Sequence, residues 1–236
     1  MKLTELQILE LYKFTRKHYV EYYDVQSELV DHLANDIEEI WQSQPDLSFE
    51  DARDKSFKKF GVFGFMNVVE QKQTQMTKRY FKIILKFIKE WFRLPKIVLT
   101  ALLFLGFYQL QKLPNAYNMY IAVFIVVILL ECYTIIKNSR KLKKKTNKTG
   151  KKWMFENIIA INGIGNSALI LLYAFDFLFP DNAKDFLLMG DFRKALSAAI
   201  ITLLILFGYV SLIVIPKKAE ELLQETYPEY KFHNLF

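Results

Sequence analysis

With 236 residues, the chain has room for one small soluble domain and about four membrane helices, and no more. Its 32 basic and 25 acidic residues give a formal charge of +7, yet positions 1–60 hold 13 acids against 8 bases, a distribution that argues against nucleic-acid binding by that region. The single cysteine, Cys132, falls inside an apolar stretch, which excludes an intramolecular disulfide and a cysteine-rich metal site.

The predicted fold is all-α: a small cytoplasmic helical domain (1–75), an amphipathic juxtamembrane helix (76–93), four transmembrane helices (94–215) and a tail (216–236). Met1–Glu10 is polar and lacks an apolar core, so no cleavable signal peptide is expected there. Thr4 is placed to cap a first helix reaching about His18, with Ile8, Leu9, Leu11, Tyr12 and Phe14 available for burial. A turn around Tyr19–Asp24 leads to a second helix from about Val25 to Gln42. Val25, Leu29, Leu33, Ile37, Ile40 and Trp41 recur there at helical spacing and form its buried stripe. Pro45 and Asp46 end it. Ser48 then caps a third helix, with Asp51 three residues on and Phe49, Ala52, Phe57 and Phe60 on its apolar face. Gly61 stands where a positive φ closes the helix. A last helix starts near Phe63 and continues through Met76 and Tyr80 to Trp91. Lysines lie opposite Phe81, Ile84, Leu85 and Ile88, so it can lie on a membrane surface before Pro95 turns the chain.

Four apolar segments follow, at Leu94–Leu110, Tyr117–Ile136, Phe155–Phe179 and Ala195–Ile215. Each is near the ~20 residues that a helix needs to cross a bilayer core. The connection at 137–152 contains nine lysines and arginines and no acid, and the stretches before the first span and after the last are basic too. The other two connections are nearly neutral. This alternation predicts that both termini and the 137–152 connection are cytoplasmic. Its lysines, Lys143, Lys144 and Lys145 among them, are expected to face anionic lipid. The tail reads as a short helix ending at Pro228.

The run Tyr22-Tyr23-Asp24-Val25-Gln26-Ser27-Glu28-Leu29-Val30-Asp31-His32-Leu33-Ala34-Asn35-Asp36-Ile37-Glu38, with Leu47-Ser48-Phe49-Glu50-Asp51-Ala52 and Phe60-Gly61, resembles the HAAS-type helical domain. That domain precedes transmembrane helices in many bacterial proteins, often encoded beside PadR-like regulators. The resemblance covers about the first 70 residues; the four spans carry no family motif. It implies a cytoplasmic interaction or signalling module, a bacterial inner-membrane setting and no catalytic residue to carry over.

Glu28, His32 and Asp36 fall at i, i+4 and i+8 on one helix face, with Asp31 beside them. Histidine and carboxylate at this spacing can share a metal, but no further histidine or cysteine is placed to complete a site, so no metal is expected. His32 reads as a half-buried histidine bonding a neighbouring acid or carbonyl. Tyr22, Tyr23, Glu28, Asp31, His32 and Asp36 are the residues expected to contact a protein partner. In the third apolar segment Asn162, Gly163, Asn166 and Ser167 form a polar, small-residue seam that either packs the spans together or docks another membrane chain. Glu131 is close enough to Lys137 to reach the cytoplasmic interface, and Asp176 lies near the outer one. No phosphate-binding glycine loop, placed nucleophile or paired carboxylates appear, so no catalytic residue and no cofactor are expected.

The reading is a non-catalytic regulatory or assembly subunit. Its expected partners are a protein in the cytoplasm or membrane and anionic lipid, with a homo-oligomer as the other arrangement. The alternatives are a component of a membrane transport system and a lipid-modifying membrane enzyme.

Overall fold

A computed structural model of the chain describes residues 2–93, 95–162, 173, 179 and 188–230. Among these residues the regular structure is helical throughout, with no strand. The chain divides into two compact units, Met1–Lys78 with Thr146–Phe155, and Arg79–Lys145 with Glu156–Phe236.

The first unit is built from α1 (Glu5–Lys17), α2 (Tyr23–Ser43), α3 (Phe49–Lys58) and the first half of α4 (Met66–Trp91). Thr4 caps α1 in a reciprocal box with Gln7, and Ser48 caps α3 by accepting from the Asp51 amide. These bonds satisfy amide groups that a helix start leaves without an intrahelical acceptor. α2 supplies the core, since Val25, Leu29, Leu33, Ile37, Ile40 and Trp41 are all buried. Leu11 of α1 and Ala52 of α3 close onto it. Leu9 departs from the expected stripe and is exposed. At 100° per residue it lies about 160° round the helix from Leu11, so the two cannot share a narrow buried face.

Gly61 has φ +77°, as its place after α3 requires. Phe14, His18, Phe57, Phe60 and Phe65 form an aromatic cluster at this end of the unit. α4 starts at Met66 and has no break at 75–76, so the last helix of the domain and the juxtamembrane helix are one element.

The second unit contains the rest of α4, then α5 (Lys96–Leu110) and most of α6 (Ala116–Thr149). It also holds the end of α7 (Met154–Asn157, continued by a π-helical turn, Ile158–Asn162), α8 (Asp191–Lys217) and α9 (Ala219–Thr226). α6 and α8 are long and apolar enough to cross a membrane. α4 and α5, bent by 90° at their junction, make a third span if the pair is counted as one. The first expected span therefore reduces to the 15 residues of α5, and most of the third, Phe155–Phe179, lies outside the described residues.

α8 packs on α5, and Ala116, Tyr120, Phe124, Phe179, Met189 and Ile201 form an apolar core. Beside it is a polar knot. Gln111, fully buried, donates to the Lys194 carbonyl at 2.9 Å and lies 2.9 Å from the Ser197 hydroxyl, while Tyr120 donates to the Phe107 carbonyl at 2.6 Å. In an apolar surrounding such groups must bond one another.

The acid-free stretch is not an irregular loop. α6 runs unbroken for 34 residues, through the apolar segment and on to Thr149. Lysine, arginine and leucine are good helix formers, and nothing interrupts them until Gly150, whose φ of +65° ends the helix. At 1.5 Å per residue the helix is about 51 Å long, so it extends well beyond a ~30 Å hydrocarbon core.

Candidate functional site

Residues 146–155 belong to the same compact unit as residues 1–78, and they make several polar contacts with α2. Past Gly150 three residues without regular structure, 151–153, form a short strap against the start of α2 before α7 begins at Met154. The Tyr23 amide donates to the Lys152 carbonyl at 2.7 Å, and the Met154 amide donates to Asp24 Oδ1 at 3.0 Å. Lys152 pairs with Glu21 at 2.7 Å and sits over the Tyr22 ring, while Lys151 sits 4.1 Å from the centroid of Tyr23. Trp153 meets Tyr23 edge-on at 5.3 Å. Trp153, Met154 and Phe155 are 3%, 1% and 0% exposed. Burial depresses the Lys151 pKa below its ordinary value, only partly offset by Tyr12.

Geometry and energetics agree on which contacts hold the strap. Glu21 is largely exposed and Lys152 partly so, and a pair this open to solvent contributes ~0–1 kcal/mol. Three buried apolar side chains contribute ~1.5–3 kcal/mol each, and a buried amide bonded to a carboxylate adds ~1.5–3 kcal/mol. The strap is a packed joint, not an electrostatic clip. Beside it lies an open cavity of about 340 Å³ whose lining includes Arg16, Gln26, Thr146 and Lys152. Arg16 donates to Gln26 Oε1, and Gln26 in turn donates to the Val20 carbonyl at 2.6 Å.

Tyr22 and Tyr23, expected to meet a partner, thus face the chain's own lysines. The other four lie further along α2. Asp31 and His32 are exposed, so His32 is not the half-buried residue expected. Glu28 pairs with Lys72 of α4 at 2.6 Å. Asp36 accepts from Lys59, the residue just past α3. Burial tends to raise the Asp36 pKa, but the bonds to Lys59 and Ser56 outweigh it and hold the carboxyl below its ordinary value. His32, Asn35, Asp36, Glu39, Ser56, Lys59 and Phe60 line an open groove of about 320 Å³. Among the described residues no group of three or more histidine, cysteine, aspartate or glutamate side chains is placed to hold a metal ion.

In the second unit Lys143 and Lys144 are exposed, whereas Lys145 is half-buried. It contacts Glu156 at 2.9 Å and bonds the hydroxyl of buried Tyr230. Burial lowers the Lys145 pKa, but bonds to Tyr230 and Glu156 outweigh this and raise it. Lys145 therefore ties α6 to the α7 region and the tail. Glu131 is buried, with Oε1 3.1 Å from where a Cβ on Gly208 of α8 would stand. The side chains of Asn162, Gly163, Asn166 and Ser167 lie outside the described residues.

Sequence reasoning missed Asp24, Trp153 and Met154 as site residues. The available signal was Trp153 directly after two lysines at the edge of an apolar segment, where an amphipathic ring commonly anchors. No family model matches the chain, and no curated protein or solved structure is significantly similar to it.

Proposed function

We propose that this chain is a non-catalytic regulatory or assembly subunit of the bacterial inner membrane. Its helical domain receives a protein partner on the exposed acidic face of α2 and is coupled to the spans through the 146–155 strap. The observation that carries the reading is the joint itself: the stretch leaving the span-bearing helix α6 is part of the compact unit formed by residues 1–78. A tilt or rotation of that helix would therefore be felt at Tyr23 and Asp24 of α2.

The same joint supports the topology. Residues 1–78 and 146–155 belong to one compact unit, which supports their lying on one side of a bilayer, and the charge pattern favours the cytoplasm for that side. Asp31, His32 and Glu39 are exposed on one stretch of α2, which leaves an acidic surface open to a basic protein partner.

Purification of the full chain in mild detergent at native expression level, followed by mass spectrometry of co-eluting proteins, tests this. A stoichiometric partner lost on Asp31→Lys and His32→Glu, with the fold intact, is the expected result. A homo-oligomer alone, unchanged by those substitutions, overturns it.

One observation favours the transport reading instead, the burial of Glu131 in an apolar helix beside Gly208. Ionisable residues at such sites mark ion or substrate paths. Flux through proteoliposomes that falls with Glu131→Gln would select that reading.

A further inference from the structure

The sequence Gly61-Val62-Phe63-Gly64 forms a tight turn. The Gly64 amide donates to the Gly61 carbonyl at 3.2 Å, and the Met66 amide donates to the Phe63 carbonyl at 3.1 Å. Both glycines have positive φ, +77° and +51°, and a Cβ on Gly64 would stand 2.9 Å from the Phe57 ring. The turn is therefore held rigidly against the aromatic cluster, and its two corner positions are valine and phenylalanine. Turn corners are normally glycine, proline, asparagine or aspartate. Here Val62 is 99% exposed, Phe63 71% and, one turn on, Met66 59%. Leaving this much apolar surface in water is unfavourable, and grouped exposed apolar residues mark an interaction surface.

The charges around this tip differ from those of the rest of the domain. His18, at the end of α1, lies 4.5 Å from Phe57 and 5.9 Å from Phe65, ring to ring, so the end of α1 and the end of α3 meet at the same corner. Lys17 in the last turn of α1 and Lys58 in the last turn of α3 are exposed at this corner, while Arg16 bonds Gln26, Lys55 bonds Gln44 and Asp54 is paired to Arg53. Tyr19, 84% exposed and held at φ +64°, stands next to His18. The acids Glu28, Asp31, Asp36 and Glu39 lie on α2, where Asp36 pairs with Lys59 and Glu28 with Lys72. An apolar tip rimmed by cations at one corner of an otherwise acidic domain fits an anionic lipid surface. The tip is tethered to the first apolar segment by the 26 residues of α4. Tethering at that range keeps the effective concentration of the surface high.

We propose that the Gly61–Gly64 turn, with Met66 and the rim of Lys17 and Lys58, is a membrane-docking tip that inserts Val62 and Phe63 into the interface of an anionic leaflet. Docked there, the domain turns a basic corner to the lipid and leaves the acidic α2 face for other contacts.

The test uses the full chain carrying Cys132→Ser and Val62→Cys, labelled at position 62 with an environment-sensitive fluorophore. The labelled chain is placed in nanodiscs of phosphatidylcholine with or without phosphatidylglycerol. The expected result is strong quenching by brominated lipid and weak quenching by aqueous iodide in the anionic discs. The ratio of docked to undocked tip should fall roughly fivefold for each of Lys17→Gln and Lys58→Gln. A label at Met66→Cys reads the same corner independently, and neither labelled position is buried. Free access of iodide in both lipids overturns the proposal. So does shielding from both quenchers, which would mean that protein covers the tip, and equal lipid quenching with and without phosphatidylglycerol refutes the basic rim.

Discussion

Asp24→Ala is the sharpest perturbation of the strap. The carboxylate accepts from the Met154 amide at 3.0 Å in a buried setting, so its removal leaves that amide without the bond. An unmade bond of this kind costs ~1–3 kcal/mol. At ~1.4 kcal/mol per factor of ten, amides across 151–156 should exchange roughly fivefold to 150-fold faster. Asp24→Asn keeps an oxygen but loses the charge, and neutral bonds are about half as strong, so its effect should be about half in free energy. Trp153→Ala removes a ring that is 3% exposed and should cost ~3–5 kcal/mol, opening the strap altogether. Hydrogen exchange with mass spectrometry on the full chain in detergent reads this directly. Asp24 also sits in the first turn of α2, where it favours the helix dipole by ~0.3–1 kcal/mol. Peptides covering 22–28 report that effect separately. If peptides covering 151–156 exchange at the wild-type rate in Asp24→Ala while the core of α2 stays protected, the strap is not held as described.

Gly64→Ala should destabilise the helical domain by ~1–3 kcal/mol, because it combines a positive φ with a Cβ 2.9 Å from Phe57. Gly61→Ala meets nothing within 4 Å and should cost only the conformational strain, ~1 kcal/mol, so thermal unfolding should rank the two in that order. Gly208→Val should lower the melting temperature of the detergent-solubilised chain more than Gly208→Ala, since both crowd Glu131 and the larger side chain does so further; equal melting temperatures would refute close packing there. The Asp36 pKa is lowered from 3.8, so its stabilising contribution is complete above that value and is lost as pH falls through the folded-state pKa. Unfolding followed by near-ultraviolet dichroism should show a shallower loss of stability below about pH 4 in Asp36→Asn than in the wild type.

Much of the helical domain was legible because its signals are local. The α2 stripe, the Thr4 and Ser48 caps and the positive φ of Gly61 each depend on residues within a few positions of one another. Composition also disclosed the apolar segments of α6 and α8. The helical continuation of α6 through the basic connection follows from the helix propensity of lysine and not from its charge, which speaks only to the side of the membrane. His32 was expected to be half-buried from its spacing to acids, which says nothing about which way the helix turns that face. The joint between Asp24 and Met154 spans 130 residues of sequence, and no periodicity or motif reaches that far. Lys145 shows the same limit, since its partners Glu156 and Tyr230 are distant in the chain.

The unbroken course of α6 makes the chain sensitive to phase. A single residue inserted between Lys137 and Thr149 would advance everything beyond it by about 1.5 Å and swing it through about 100°. The strap would then leave the helix in a direction turned by that angle from the apolar segment of α6. Seven residues would restore the angle to within about 20° and change only the distance. Length variation in this stretch should therefore be tolerated in steps of whole helical repeats, as with teeth on a gear, and not one residue at a time.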